Sequence, residues 1–162
     1  HSAASTRWRA MAVKRTIGIE RVDHIGIRVA QTERAMAFYT MLGFEIFHDV
    51  PNDEVVIIRN INDVEINLIT NANNVNDGHN ILMDVGDKFA GVTHVALRVR
   101  SIRETIEVLA EHNVEITQGP VKFGDDGHVS VFVRDPDRNV IELRGRDEDL
   151  SELGGVIQYE PE

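Results

Sequence analysis

The chain has 162 residues, with 17 Lys and Arg against 27 Asp and Glu, which gives a formal net charge of −10. This acidic balance repels phosphate backbones and anionic lipid surfaces, so neither nucleic acid nor a membrane is an expected partner. No apolar run approaches the ~20 residues that a membrane span needs. The absence of cysteine excludes disulfides, thiolate metal sites and a cysteine nucleophile.

The two ends of the chain differ in composition from its middle. Residues 1–19 begin with small and polar side chains, which predicts a disordered N-terminal segment or an expression remnant. This segment lacks the apolar centre of a signal peptide, so we expect a cytoplasmic protein. Residues 146–162 are acidic and contain two adjacent glycines, which favours a solvated C-terminal tail.

Between these ends the sequence repeats itself. Residues 22–46 align without a gap on residues 92–116, at an offset of 70 positions. Residues 59–68 align on residues 134–143 at an offset of 75, and the difference of five corresponds to a longer loop in the second copy. The chain therefore consists of two copies of one module joined by a polar linker. The boundaries that follow are 20–70 for the first module, 71–90 for the linker and 91–145 for the second module.

Each copy is predicted to contain a strand, a helix and three further strands. Alternating apolar residues indicate the strands, and apolar residues at helical spacing indicate the helices. Gly43 and Asn113 follow the two helices at equivalent places, where a left-handed backbone is expected. The predicted elements are strand 24–29, helix 32–42, strands 43–49, 54–59 and 64–69, then strand 94–99, helix 101–112 and strands 113–117, 128–133 and 139–144.

This pattern predicts an α+β fold of two tandem βαβββ modules with mixed sheets. One helix covers only one face of a four-stranded sheet, so the bare faces are expected to form a shared cleft. Successive side chains of a strand alternate between faces. With the aliphatic side chains against the helices, His24, His94, Asn67 and Glu142 face the cleft.

Two imidazoles and a carboxylate form a ligand set for one divalent ion, either Fe, Mn, Co, Ni or Zn. His24, His94 and Glu142 supply this set, and Asn67 adds a weak amide oxygen as a fourth ligand. Glu65 lies two residues before Asn67 on the same face, and it serves as fourth ligand instead if the strand bulges. Strand histidines that serve only in packing are the alternative to a metal site.

Other side chains on the cleft face are candidates for binding substrate. Arg28 and Arg98 follow the two histidines by four residues, and they either bind a substrate carboxylate or phosphate or pair with the cleft glutamates. Phe132 is expected to form an apolar wall of the pocket.

The segments VDHIGIRV, GVTHVALRV and VFVRDPDRNVIEL, within the duplicated pattern, resemble the vicinal oxygen chelate superfamily between Glu20 and Arg146. That superfamily includes glyoxalase I, methylmalonyl-CoA epimerase, extradiol dioxygenases and bleomycin-resistance proteins. The resemblance implies His24, His94 and Glu142 as metal ligands and places the superfamily's fourth ligand position on Asn67.

The resemblance leaves three kinds of activity open. The first is glyoxalase-type lyase or isomerase chemistry, in which a small oxygenated substrate chelates the metal, Glu65 removes a proton and the ion stabilises an enediolate. The second is Fe(II) chemistry of the extradiol dioxygenase type, although Phe132 stands where those enzymes usually have a tyrosine. The third is a small-molecule binding or resistance protein without catalysis. Relatives are commonly dimers, so we expect a homodimer, and the cleft lies either within one chain or between two.

Overall fold

The computed structural model describes residues 14–73, 78–147 and 155–161. Parts of three sequence predictions lie outside the described residues: the N-terminal segment over 1–13, the linker over 74–77, and the acidic tail over 148–154 and at 162. Within the described ranges, no helix combines the length and apolar character needed to cross a bilayer.

The first module forms a four-stranded sheet covered by one helix. Its strands follow the order β1-β4-β3-β2, with β1 parallel to β4 and the other neighbours antiparallel. A single 3₁₀ turn over Pro51–Asp53 joins β2 to β3. The elements are β1 Ile25–Arg28, α1 Thr32–Met41, β2 Glu45–Val50, β3 Val55–Arg59 and β4 Glu65–Ile69.

The second module repeats this arrangement in the order β5-β8-β7-β6 and carries one more strand, β9, at its edge. Its elements are β5 Val95–Arg98, α2 Ile102–Glu111, β6 Gln118–Lys122, β7 His128–Arg134, β8 Val140–Arg146 and β9 Ile157–Gln158. The predicted α+β class with two tandem βαβββ modules is confirmed.

Local sequence signals explain where the helices begin and end. The Ser101 hydroxyl accepts a hydrogen bond from the backbone N–H of Glu104 and so caps the start of α2. Gly43 and Asn113 have φ angles of 96° and 55°, as predicted for the left-handed positions that follow the two helices.

One hydrophobic core spans both modules. Side chains of β1 and β4 meet side chains of β7 and β8 in a single cluster of buried residues beneath the helices. Ile27, Leu68, Ile141 and Leu143 are among its members, and each lies on the strand face predicted to be aliphatic. The opposite faces, which carry the candidate ligands, therefore point away from the core.

The strand predicted over residues 113–117 is wrong, because the second strand of the second module begins only at Gln118. The pairing of β6 with β7 shifts register between Gln118 and Val121, which marks a bulge. Gly119 lies within this bulge at φ 102°, and a Cβ atom there would approach the carbonyl oxygen of Ser130 to 2.5 Å. Glycine is required at this close approach of two backbones.

The described part of the predicted acidic tail, residues 155–161, is mostly exposed and contains a short strand that the sequence did not indicate. Ile157–Gln158 pair in parallel with β6, and the backbone N–H of Tyr159 donates to the carbonyl of Lys122 at 2.8 Å. The ring of Tyr159 packs on Phe123 with 4.8 Å between centroids. This strand therefore extends the second sheet at the edge beyond β6.

Candidate metal centre

The strand register places the candidate ligands at equivalent points of the two modules. Asn67 lies opposite Gly26 in the pairing of β1 with β4, and Glu142 lies opposite Ala96 in the pairing of β5 with β8. The small side chains of glycine and alanine leave room above the sheet at both points. His24 and His94 immediately precede β1 and β5.

In the second module the structure brings a histidine and a buried carboxylate together. His94 Nε2 lies 3.0 Å from Glu142 Oε1, and the Glu142 side chain is only 9% exposed. Ser130 Oγ donates to Glu142 Oε2 at 2.7 Å. The ring of Phe132 contacts the imidazole edge-to-face, with 5.7 Å between centroids. A carboxylate buried to this extent is costly unless it is paired, so these contacts hold it in place.

In the first module a different carboxylate approaches the histidine. His24 Nδ1 lies 2.6 Å from Asp23 Oδ1 and 3.8 Å from Glu65 Oε2. Arg59 Nε donates to Glu65 Oε1 at 2.7 Å, and its guanidinium lies 3.7 Å from the centroid of the Phe47 ring. The hydrogen bond with His24 is the main cause that lowers the pKa of Asp23.

The residue before each histidine binds the same ring nitrogen. Asp23 and Thr93 occupy equivalent positions of the repeat, and Thr93 Oγ1 lies 2.8 Å from His94 Nδ1. The Asp23 carboxylate only accepts hydrogen bonds, so Nδ1 of neutral His24 carries the proton and Nε2 keeps its lone pair. Ligating histidines are commonly fixed by such a second hydrogen bond.

Asn67 carries an unpaired polar atom. Its Oδ1 is buried and has no hydrogen-bond partner among the described residues. A buried acceptor without a partner costs about 1–3 kcal/mol, and carbonyl oxygens bind hard cations. By donor type, this oxygen, two imidazoles and the Glu142 carboxylate match the ligands that divalent ions take in proteins.

One chain does not assemble all the predicted ligands around a single point. Among the described residues, Asp23, His24 and Glu65 form a group of three side chains that could hold a metal. Their carboxylate and imidazole ligand atoms lie within 4.8 Å of one another. His24, His94 and Glu142 do not form such a group. The structure thus presents two half-sites, one with His24 and one with His94.

Of the predicted substrate-binding arginines, Arg98 lies apart from both half-sites, whereas Arg28 lines a pocket that His94 also lines. Arg28 Nε donates to Asn71 Oδ1 at 3.0 Å, beside the linker. Arg98 lines a groove between the modules, next to α2. Phe132, by contrast, lies against His94.

The sequence did not indicate the side chains that contact the candidate ligands. Ser130 on β7 lies diagonally from Glu142 on β8 and donates to it, and Arg59 lies directly opposite Glu65 across the β3–β4 pair. The contacts of Asp23 and Thr93 could have been suggested from the sequence, because each has a side-chain oxygen and stands one position before a repeated histidine.

Comparisons with known proteins agree with this architecture. The curated glyoxalase domain-containing protein RDO1 of Mycosarcoma maydis is 26% identical over 132 residues, which are 80% of this chain and 70% of that protein. A glyoxalase/dioxygenase from Nostoc punctiforme matches with a TM-score of 0.66 and 20% identity, over 85% of this chain and all of its own. An integron cassette protein from V. cholerae matches with a TM-score of 0.58 and 22% identity, over 80% and 98% of the two chains.

The paired βαβββ modules of this chain carry Asn67 on the bare face of one sheet and Glu142 on that of the other, each near a histidine that precedes the first strand. The family model described as Glyoxalase/Bleomycin resistance protein/Dioxygenase superfamily matches residues 21–143. The chain belongs to this superfamily, which is the vicinal oxygen chelate superfamily.

Proposed function

We propose that the chain is a divalent-metal-dependent enzyme that acts on a small oxygenated organic substrate by glyoxalase-type lyase or isomerase chemistry. One observation supports this most directly: His94 Nε2 lies 3.0 Å from the buried carboxylate of Glu142. Ligands bound at about 2.1 Å to one ion lie about 3 Å from each other. This pair therefore needs little movement to hold an ion.

The complete centre, in this proposal, forms between two copies of the chain. The His24 half-site of one copy faces His94 and Glu142 of the other, and a twofold axis generates two such centres per homodimer. Exposed apolar residues beside both half-sites support this arrangement. Val22 and Val92, two residues before the histidines, are 75% and 86% exposed, as expected for residues that a second copy covers.

The side chains around the centre have separate tasks. When bound, the ion supplies Lewis-acid polarisation of the substrate oxygens. Glu65 is the proposed base: Arg59 holds Oε1, so Oε2 is left to take a proton from the substrate carbon. Phe132 excludes water on the His94 side, and Asp23 fixes the His24 ring so that Nε2 is presented.

Metal content tests the centre itself. Protein purified without added metal, or stripped and reloaded with Ni²⁺, Zn²⁺, Mn²⁺ or Fe²⁺, is expected to bind about one ion per chain by elemental analysis and calorimetry. His94→Ala and Glu142→Gln are expected to weaken binding at least tenfold. His112→Ala removes an exposed imidazole at the end of α2 and serves as the matched control. Failure of every metal to bind would overturn the proposal.

Mixing two inactive variants tests whether the centre is shared. A heterodimer of His24→Ala with His94→Ala contains one centre with both halves intact, because both substitutions fall in the other centre. Random exchange of chains is expected to restore about one quarter of the wild-type binding capacity, whereas each variant alone restores none. A centre within one chain predicts no recovery on mixing, and that result would contradict the shared centre.

Turnover assays separate the reaction types. We expect metal-loaded protein to convert a hemithioacetal without consuming oxygen, and Glu65→Gln to lower kcat more than metal affinity. Oxygen uptake with a catechol by the Fe²⁺-loaded protein would overturn the lyase or isomerase assignment. If the protein binds metal but converts none of these substrates, the result would favour a binding protein and contradict the proposed catalysis.

A further inference from the structure

The two helices occupy equivalent junctions between the modules. At the first junction, α1 packs against the turn at residues 135–139. Tyr39 Oη donates to Asp135 Oδ2 at 2.8 Å in a buried hydrogen bond, and Arg34 pairs with Asp137 at 2.7 Å. Burial raises the pKa of the Asp135 carboxyl, and its contacts with Tyr39 and Asn139 oppose this shift. This junction is closed by polar links.

The second junction places other residues at the equivalent positions. Offsets of 70 and 75 put Leu109 and Asn60 where the first junction has Tyr39 and Asp135. Because leucine has no donor, no link equivalent to the Tyr39 hydrogen bond forms. Glu104 stands in the place of Arg34, and it pairs with Arg100, which lies just before the Ser101 cap of α2.

A third link is also replaced. Asn139 Nδ2 donates to the backbone carbonyl of Arg28 at 3.1 Å and thereby ties the turn to β1. The equivalent residue at the second junction is Val64, whose side chain makes no hydrogen bond to the carbonyl of Arg98. All three polar links of the first junction are therefore absent from the second, because the residues at the equivalent positions cannot form them.

A groove of about 560 Å³ lies at the second junction. We call it the α2 groove. Its volume is within the roughly 300–1,000 Å³ typical of small-molecule sites. None of the described residues that line the α2 groove is a candidate metal ligand, so the groove is separate from both half-sites. Its apolar lining includes Met41, Leu42, Phe44, Val64, Val108 and Leu109.

The rim of the α2 groove carries one uncompensated positive charge. Arg98, Arg100 and Glu104 line the groove. Arg100 Nη2 lies 3.1 Å from Glu104 Oε2, so these two charges offset each other. The Arg98 side chain makes no ion pair or hydrogen bond with any described residue, whereas the side chain of its counterpart Arg28 donates to Asn71.

We propose that the α2 groove is a second binding site, which takes a small organic anion with an apolar body. The aliphatic lining would bury the apolar body at roughly 25 cal/mol per Å² of apolar surface. Arg98 would bind the acid group at the rim. The site is independent of the metal centre, since the two share no residue.

Decanoate tests the site, with decanol as a neutral molecule of the same chain length. Titration calorimetry of the full chain is expected to show one decanoate bound per chain and weaker binding of decanol. The double variant Asn60→Asp with Leu109→Tyr copies the Tyr39–Asp135 pair into the second junction and fills the groove. It is expected to weaken decanoate binding at least tenfold while metal binding stays unchanged.

Arg98→Gln is expected to weaken decanoate binding five- to thirtyfold and to leave decanol binding unaltered. Arg15→Gln, an exposed arginine outside the elements, is the matched control. Decanoate binding that survives the double variant would overturn the proposal, and so would equal effects of Arg98→Gln on decanoate and decanol. A double variant that also changes the sedimentation coefficient would assign the groove to a second copy of the chain and would likewise overturn it.

Discussion

At the scale of a single residue, Asn67 is expected to lower the stability of the metal-free protein and to strengthen metal binding at the proposed centre. Its Oδ1 is buried without a partner among the described residues. Replacing it with leucine of similar volume removes a desolvated acceptor, so the metal-free Asn67→Leu variant is expected to be more stable by about 1 kcal/mol. The same change is expected to lower metal affinity. Chemical denaturation with chelator present and calorimetry with metal measure the two effects.

Asn52→Leu is the control for this prediction, because Asn52 is exposed in the 3₁₀ turn between β2 and β3. Its effect on the free energy of unfolding is expected to stay within about 0.5 kcal/mol. A metal-free Asn67→Leu variant that is less stable than the wild type would show that the amide has a stabilising partner.

At the candidate site, the sequence singled out a residue only where the same residue type occurs at the equivalent position of both repeats. His24 and His94 stand out because each begins an alternating strand at the same place of the repeat. The hydrogen bonds of Asp23 and Thr93 to these rings depend on side-chain rotamers, which composition and spacing do not fix. Arg59 was equally invisible, since its contact with Glu65 depends on the register of two neighbouring strands.

At the scale of the element, Asp84 anchors the described end of the linker. Its carboxylate accepts from Arg138 Nε at 2.7 Å and lies 3.0 Å from Arg134 Nη2. The hydrogen bond from Arg138 is the main cause that holds the pKa of Asp84 well below its usual range. An acid whose pKa is lower in the folded than in the unfolded chain stabilises the fold when the pH is above the unfolded pKa, here 3.8. This stabilisation is lost as the pH falls below that value.

The variant Asp84→Asn is therefore expected to lose stability at neutral pH, by about 1.5–3 kcal/mol for hydrogen bonds to charged groups. The difference in the free energy of unfolding between this variant and the wild type is expected to become smaller as the pH falls below 4. Urea unfolding at pH 7 and pH 3 measures this change. Asp87→Asn, at an exposed linker position, is the control. A gap of the same size at both pH values would contradict the ionic origin of the anchor.

The order of the elements could be predicted from the sequence, whereas one strand could not. Residues 113–117 alternate as a strand does, and Gly119 and Pro120 are typical of a loop. In the structure the register shift between Gln118 and Val121 accommodates both residues inside β6. The bulge is decided by the pairing with β7, in which Gln118 lies opposite Phe132 and Val121 lies opposite Ser130.

At the scale of the whole molecule, the core that the two modules share predicts one cooperative unfolding transition. Leu68 of the first module and Leu143 of the second are buried in the same cluster. Since neither module encloses a core alone, Leu68→Ala and Leu143→Ala are each expected to cost about 2–5 kcal/mol and to shift the same transition. Calorimetry with chelator, at several protein concentrations, tests this without coupling through metal or association. Two transitions, with each variant moving only one, would mean that the modules unfold independently and that the shared core contributes little to their union.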